Sequence, residues 1–513
     1  MRSLIKVSPE KNALLNGFSQ LVSVALSILV LPVYFRNLGA EAYGLIAFFT
    51  LLQSWFSLLD LGISPTVSRE TASWRSGVLS DLAYRNLVGT LMGVFIAIGF
   101  LGLSLLLFFS DYVASTWIRA EQIEKDVLAD LLLLILVAVF IRWGSAFFRG
   151  VVLGAEKLHY LSFIHLIISG FRYPGALLIM SVLGFELYIF FYYALAVGVF
   201  EFLLIFLCAV KVAHLKYFIP RFSKFGNARI RRSLKFSLSL GFTSSIWVLI
   251  TQSDKLVLSG ILPLATYGYY SLAVVGAATV ILLGTSIGSA VMPRLSTLYD
   301  EGGAKLLLPQ VKRFTNFATS LILPLSFTSA AFSREIFYLW TGDEDLVAVT
   351  APIFSIYVLG NAMLALSAFA YYVQFAVRNL RYHVIGNLVM LLLLVPGIIV
   401  FSNLYGVLGA AWVWFSTNLF FLFVWCSFVM ARFLGAFWFT WLSRDVMVPI
   451  LLVGLLSIVS RTISGFFALA HIENLLVAFL TFGLSTVILI LVNAEQRGVV
   501  YRRFFSVGTH ELR

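Results

Sequence analysis

The chain has 513 residues, 60% hydrophobic and only 12% charged, with a formal net charge of +12. A soluble globular chain carries about twice that fraction of charge, and the mean hydropathy of +0.97 excludes a soluble fold. Apolar runs of about twenty residues recur from end to end, each long enough to cross a bilayer as a helix. Barrel strands would alternate instead, so helices are left to satisfy the backbone in lipid.

In chain order, spans are predicted near 12–35, 44–64, 86–110, 127–148, 159–183, 187–210, 236–262, 267–292, 313–338, 350–376, 383–402, 406–431, 446–465 and 474–493. The first follows a short basic stretch, Arg2, Lys6 and Lys11. It lacks a convincing cleavage site and exceeds a signal-peptide core, so it reads as a retained helix. Cys208 and Cys426 lie within or at the end of spans and build no disulfide framework.

Loop charge sets orientation. With the N-terminus inside, the outer loops hold only Arg36, Arg119 and Lys125, and Arg142, Arg172, Lys255, Arg334 and Arg461 fall within spans. The remaining Lys and Arg all lie inside, which predicts cytoplasmic termini. The asymmetry accounts for most of the positive charge without nucleic acid. The longest inner loop, 211–235, carries Lys211, Lys216, Arg221, Lys224, Arg229, Arg231, Arg232 and Lys235. It reads as a linker lying on anionic headgroups, with recruitment of an acidic partner as the alternative.

This linker divides the chain into an N-terminal six-helix bundle (1–210), the linker (211–235), a second six-helix bundle (236–431) and an extra helix pair with a tail (432–513). The second span of each half opens alike, "LGAEAYGLIAFF" with Tyr43-Gly44 and "LPLATYGYYSLA" with Tyr267-Gly268. Six spans per half give both repeats one orientation, related by an axis along the membrane normal, the layout of transporters that rock two bundles about a central site.

No P-loop GxxxxGK[ST] occurs. "GTSIG", Gly284 to Gly288, matches a hydrolase elbow but lies inside a predicted span, where close helix packing is the better reading. The six histidines show no metal-ligand spacing, and the largest outer loop, 111–126, is too short to house a catalytic domain. An enzyme is not expected.

What remains is the charge inside the spans. Each costs roughly 2.5–3.5 kcal/mol near the bilayer centre, so it faces protein or a watery cavity. The fourth span places Arg142 and Arg149 seven apart on one face, and the fifth does the same with His165 and Arg172. Pro174 predicts a kink beside Arg172. Glu201 lies in the sixth span with Gly198 a turn away, and Gln53 and Asp60 lie seven apart in the second.

The seventh span, "WVLITQSDKLVLSGIL", carries Asp254 beside Lys255. Helical neighbours point about 100° apart, so this doublet is not expected to cancel itself. Ile246, Leu249, Ile250, Leu256 and Val257 share an arc read as the lipid face. Lys255 shares the opposite arc with Gly241, Ser245, Gln252 and Ser259, and is expected to face a cavity. Asp254, nearer the shoulder, is expected to pair across a helix seam with Arg142 or Arg172 or to serve an ion cycle. Arg142, Arg172 and Lys255 against Glu201 and Asp254 leave one positive charge in excess, which suits an anionic headgroup.

The opening stretch, with Asn16, Pro32, Leu38-Gly39, Tyr43-Gly44, Asp60, Gly62 and Arg69, resembles the start of bacterial polysaccharide flippases of the Wzx type. "SDKLVLSGILPLATYGYYSLA" and "VMPRLSTL" continue the likeness over about the first three hundred residues. These flippases belong to the multidrug/oligosaccharidyl-lipid/polysaccharide exporter superfamily. The resemblance implies a V-shaped pair of six-helix bundles in the bacterial inner membrane, acting as a monomer. Its substrate would be an undecaprenyl-pyrophosphate-linked oligosaccharide for O-antigen, capsule or exopolysaccharide.

It further implies alternating access without a cofactor, with partners among the polymerase and chain-length machinery. Since ATP motifs are lacking, the cycle is expected to be driven by an H⁺ or Na⁺ gradient or by removal of product outside. Arg142, Arg172, Lys255 and Arg149 would meet the pyrophosphate, and Asp254, Glu201 and Asp60 could carry the coupling ion. Many such flippases have twelve spans. The extra pair here is similar to that of lipid II flippases, which makes a peptidoglycan-precursor flippase the alternative and a multidrug exporter a further one.

Overall fold

The computed structural model describes residues 9–220, 228–467 and 469–492. Parts of the basic linker, including Arg221 and Lys224, lie outside the described residues, as do Arg2, Lys6 and the C-terminal tail. Among the described residues the chain is helical, and the sole strand-like feature is an isolated parallel bridge between Arg119 and Pro263.

Among the described residues, twelve helices are long and apolar enough to span a membrane: Leu15–Leu38, Ala40–Asp60, Asp81–Phe108, Lys125–Gly154, Leu158–Leu183, Leu187–Ala213, Arg229–Ile261, Leu264–Ala331, Glu344–Ala376, Arg381–Leu434, Phe437–Phe466 and His471–Val492. Two of these, of 68 and 54 residues, are each far longer than one crossing requires.

Both are hairpins. In the second, Gly406 has φ +61°, a left-handed conformation that favours glycine. Gly409 then abuts the Phe401 carbonyl, Gly397 faces Val413 and Gly386 faces Trp425, pairs that close symmetrically about the turn. In the first, Gly302 and Gly303 leave helical geometry. The strand of helix before them runs beside the tenth span, with Asn361 donating to the Ala277 carbonyl at 2.8 Å and Arg378 reaching Asp300 at 2.8 Å. After the turn the chain returns, so that Phe337 stands against Gly276. The two hairpins bring the crossings to the fourteen expected from the sequence.

Helix ends follow local chemistry. Ser80 accepts from the Ala83 N–H to cap the third span, and Asp343 accepts from Leu346 at 3.0 Å to cap the tenth. The structure adds one element that the sequence reads as loop, a helix at Ile63–Arg75, whose Thr66, Val67, Glu70 and Thr71 are buried.

By packing, the chain divides into two compact units, Met1–Gly268 and Tyr269–Arg513. The division falls later than the basic linker, because the seventh span packs within the first unit. Ser237 donates to the Leu61 carbonyl at 3.0 Å, Ser233 to Glu70 at 3.1 Å, and Trp117 to Ser259 at 3.0 Å. In that unit the second and eighth spans start against each other through the paired Tyr-Gly steps. A Cβ on Gly44 would strike the Leu264 carbonyl, and one on Gly268 would strike the Ala40 carbonyl. The sequence repeat is therefore also a reciprocal contact, each glycine lying against the carbonyl four residues before the other.

In the second unit the thirteenth span lies along the ninth. Trp441 donates to Thr315 at 2.9 Å, and Arg461 reaches Glu335 at 2.6 Å. Gly284 and Gly288 of the "GTSIG" stretch face Ala365 and Tyr372 of the tenth span, the close packing expected there.

Candidate functional site

The fifth span is not a uniform helix. Residues Phe171–Gly175, which contain Arg172 and Pro174, form a single wide π turn between two α-helical stretches. Proline supplies no N–H to its helix, so a regular turn cannot close there. Tyrosines of neighbouring spans hold the turn from either side. Tyr34 of the first span donates to Tyr173 O at 3.0 Å, and Tyr193 of the sixth donates to Phe171 O at 2.9 Å. The kink expected from Pro174 is thus a braced bulge that carries Arg172.

Arg172 projects from this bulge to Glu201, with Nη2 at 2.6 Å from Oε2. Arg149 Nη2 reaches the other oxygen, Oε1, at 3.0 Å, and Arg142 Nε lies 3.9 Å from Oε2. Three guanidiniums from the fourth and fifth spans converge on a single carboxylate of the sixth. Gly198, one turn before Glu201, leaves the room that the Arg142 stem fills, since a Cβ there would stand 3.2 Å from Arg142 Cγ. The Arg142 guanidinium also lies 5.8 Å from the Phe49 ring centroid. His165 lies within electrostatic reach of Arg172, Arg149 and Glu201.

Charge bookkeeping at this cluster is lopsided. Glu201 is buried and is the one carboxylate within ion-pair distance of these arginines among the described residues. It takes one hydrogen bond from each of Arg149 and Arg172, whereas each guanidinium offers five N–H donors. Most of that donor capacity therefore remains for an anion.

Asp254 and Lys255 stand apart from the cluster, and two expectations about them are corrected. Arg142 and Arg172 make their ion pairs with Glu201, not with Asp254. The doublet also closes on itself, with Lys255 Nζ 3.3 Å from both Asp254 oxygens and donating to Thr251 O at 3.1 Å. The flexible lysine stem overcomes the 100° offset by folding back along its own helix. The Asp254 side chain is 1% exposed and that of Lys255 18%.

The lipid-face reading of the seventh span is corrected as well. Ile246 and Ile250 are buried, along with Ser253, Asp254 and Leu258, while Trp247 and Phe242 are exposed. An apolar arc packs against protein as readily as against lipid, whose tails are as apolar as leucine. Gln252 is half-buried.

Asp60 and Gln53 do not join the arginine cluster. Asp60 accepts from the Ser64 backbone N–H at 3.1 Å and from its hydroxyl at 2.5 Å. It caps the helix Ile63–Arg75 across a turn in which Leu61 and Gly62 have φ +46° and +74°. The Gln53 amide nitrogen is buried with no protein acceptor among the described residues. Sequence reasoning missed Glu70, which accepts from Ser233 and from Arg69, itself stacked 3.8 Å over Phe236. Among the described residues, no three His, Cys, Asp or Glu side chains converge as a metal site would require.

The chain is a multi-pass helical membrane protein with three arginines gathered on one carboxylate among its spans. A family model described as polysaccharide biosynthesis protein matches residues 10–299, and the chain belongs to that family. The fold is that of the exporter superfamily expected from the sequence. A lipid II flippase, MurJ, solved in an inward closed conformation, has 14% identity and a TM-score of 0.68 over 93% of this chain and 99% of its own.

An inward-facing multidrug resistance MATE transporter has 13% identity and a TM-score of 0.62, covering 82% of this chain and 99% of its own. A transporter of the same superfamily from Pyrococcus furiosus, whose binding pocket is described as reversed in polarity, has 15% identity and a TM-score of 0.56. It covers 84% of this chain and 97% of its own. No curated protein matches the chain by sequence.

Proposed function

We propose that the chain is a flippase that carries undecaprenyl-pyrophosphate-linked oligosaccharide repeat units across the bacterial inner membrane for surface polysaccharide synthesis. The observation that carries this reading is the convergence of Arg142, Arg149 and Arg172 on Glu201 within the spans. Guanidiniums bind diphosphate oxygens bidentately, and in a poorly screened site their field is long-ranged. The headgroup binds at the cluster, the prenyl tail stays in lipid, and the cycle proceeds by alternating access with both termini cytoplasmic.

An H⁺ or Na⁺ gradient drives it. Of the three acids considered for coupling, Asp254, whose side chain is 1% exposed, is placed first, ahead of Glu201 and Asp60. The family match, described by polysaccharide biosynthesis, supports this reading over drug export. A lipid II substrate is the second reading, favoured by the 93% of the chain that the MurJ structure covers.

The test is translocation in proteoliposomes loaded with fluorescent prenyl-diphosphate oligosaccharide, lipid II, or a cationic dye. Movement of the oligosaccharide lipid at a rate well above the other two supports the proposal. Equal or faster movement of lipid II or dye overturns it.

A further inference from the structure

The arginine cluster is defined by number as much as by kind. Three guanidiniums face one carboxylate, so the protein's own charges leave an excess of two. Glu201 is buried and shares its two oxygens among three arginines, with Arg172 nearest and Arg142 farthest.

We infer that Glu201 is a specificity-determining residue, trimming the site to two positive charges so that it selects a doubly charged diphosphate diester over singly charged phosphodiesters. This rests on the reading of the cluster as the headgroup site. A diester of diphosphate carries one ionised oxygen on each phosphorus, two in all. The diester of a bulk phospholipid carries one, and it surrounds the protein in vast excess. A site of charge three would hold the substrate more tightly but would also favour anions of higher charge. A site of charge one would match the phospholipid. In a medium that screens poorly, each unmatched charge is costly, and charge count becomes a filter. The two Glu201 bonds leave the other N–H groups of Arg149 and Arg172, and those of Arg142, to fork onto the two phosphoryl groups.

The test uses full-length protein in nanodiscs and three geranyl probes. These are a diphosphate sugar diester (two charges), a monophosphate sugar diester (one) and geranyl diphosphate, a monoester with close to three charges at pH 8. Wild type is expected to bind the diphosphate diester about tenfold or more tightly than the monophosphate diester. Glu201→Gln, which adds a unit of positive charge, is expected to shift preference toward geranyl diphosphate by about tenfold. Arg149→Gln, at the most exposed arginine of the three, is expected to shift it as far toward the monophosphate diester and serves if the Glu201 variant does not fold.

Variants that bind but keep the wild-type order of the three probes would falsify the charge-trimming role while leaving the headgroup site standing. Arg172→Gln protein that binds the diphosphate diester as wild type does would overturn the site itself.

Discussion

Arg172 Nη2 lies 2.6 Å from Glu201 Oε2, and the backbone that presents Arg172 is a wide turn held by two tyrosine hydroxyls. Position and charge are thus supplied by different parts of the same bulge. Arg172→Gln is expected to lower oligosaccharide-lipid translocation in proteoliposomes at least about tenfold, with membrane abundance near wild type, from the loss of charged hydrogen bonds. Arg172→Lys retains charge but not the planar fork, and an intermediate rate is expected. Wild-type rates from the glutamine variant would remove Arg172 from the transport path.

The sequence made the spans and the charged members of the cluster legible for one reason. Hydrocarbon penalises each buried charge, so Arg142, Arg172 and Glu201 stand out from the apolar runs around them. Their pairing was not legible, because no local rule tells which of two acids an arginine will meet. Glu201 took all three arginines, and Asp254 turned to its own neighbour. The helix Ile63–Arg75 was hidden by its polar composition, and the buried face of the seventh span by the likeness of leucine to lipid. The Tyr-Gly repeat was visible, but its meaning needed the contact between its two copies.

That contact yields a stability prediction. Gly44 and Gly268 each lie against a carbonyl of the other helix, where any side chain must push the helices apart. Gly44→Ala and Gly268→Ala are each expected to cost about 1–3 kcal/mol, the range for overpacking. In detergent both should lower the thermal unfolding midpoint by several degrees. Because the two changes relieve through the same separation, the double variant should lose less than the sum. Strict additivity would count against a shared crossing.

Asn361 sits in the second unit, buried, with its Nδ2 donating to Ala277 O at 2.8 Å and its Oδ1 accepting from Trp414 Nε1 at 3.0 Å. The eighth span breaks its helix at Ala278, one residue beyond that carbonyl. Asn361→Ala orphans both a donor and an acceptor, at about 1–3 kcal/mol each. Trp414→Phe removes the indole N–H and orphans only the amide oxygen. Thermal unfolding is expected to place the asparagine variant clearly below the tryptophan one. The reverse order would mean that the loss of indole packing against Tyr357 outweighs the polar bridge.

The Glu335–Arg461 pair, at 2.6 Å, ties the ninth span to the thirteenth and is unequal in burial. The Glu335 side chain is 5% exposed and that of Arg461 37%. Removing one partner of a buried pair costs about 3–5 kcal/mol because the other is left uncompensated, but here only the carboxylate is fully buried. Arg461→Met strands Glu335 in a low-dielectric setting and is expected to cost about 2–3 kcal/mol, at or below the low end of that range. Glu335→Gln leaves a guanidinium that reaches water, at about 1 kcal/mol. Replacing both with methionine strands nothing and should recover most of the loss, as apolar replacement of ion pairs commonly does. Unfolding midpoints in detergent should therefore run from the highest in wild type and the double variant, through Glu335→Gln, to the lowest in Arg461→Met. A Glu335→Gln midpoint below that of Arg461→Met would show that the arginine, not the acid, is the group that cannot stand alone.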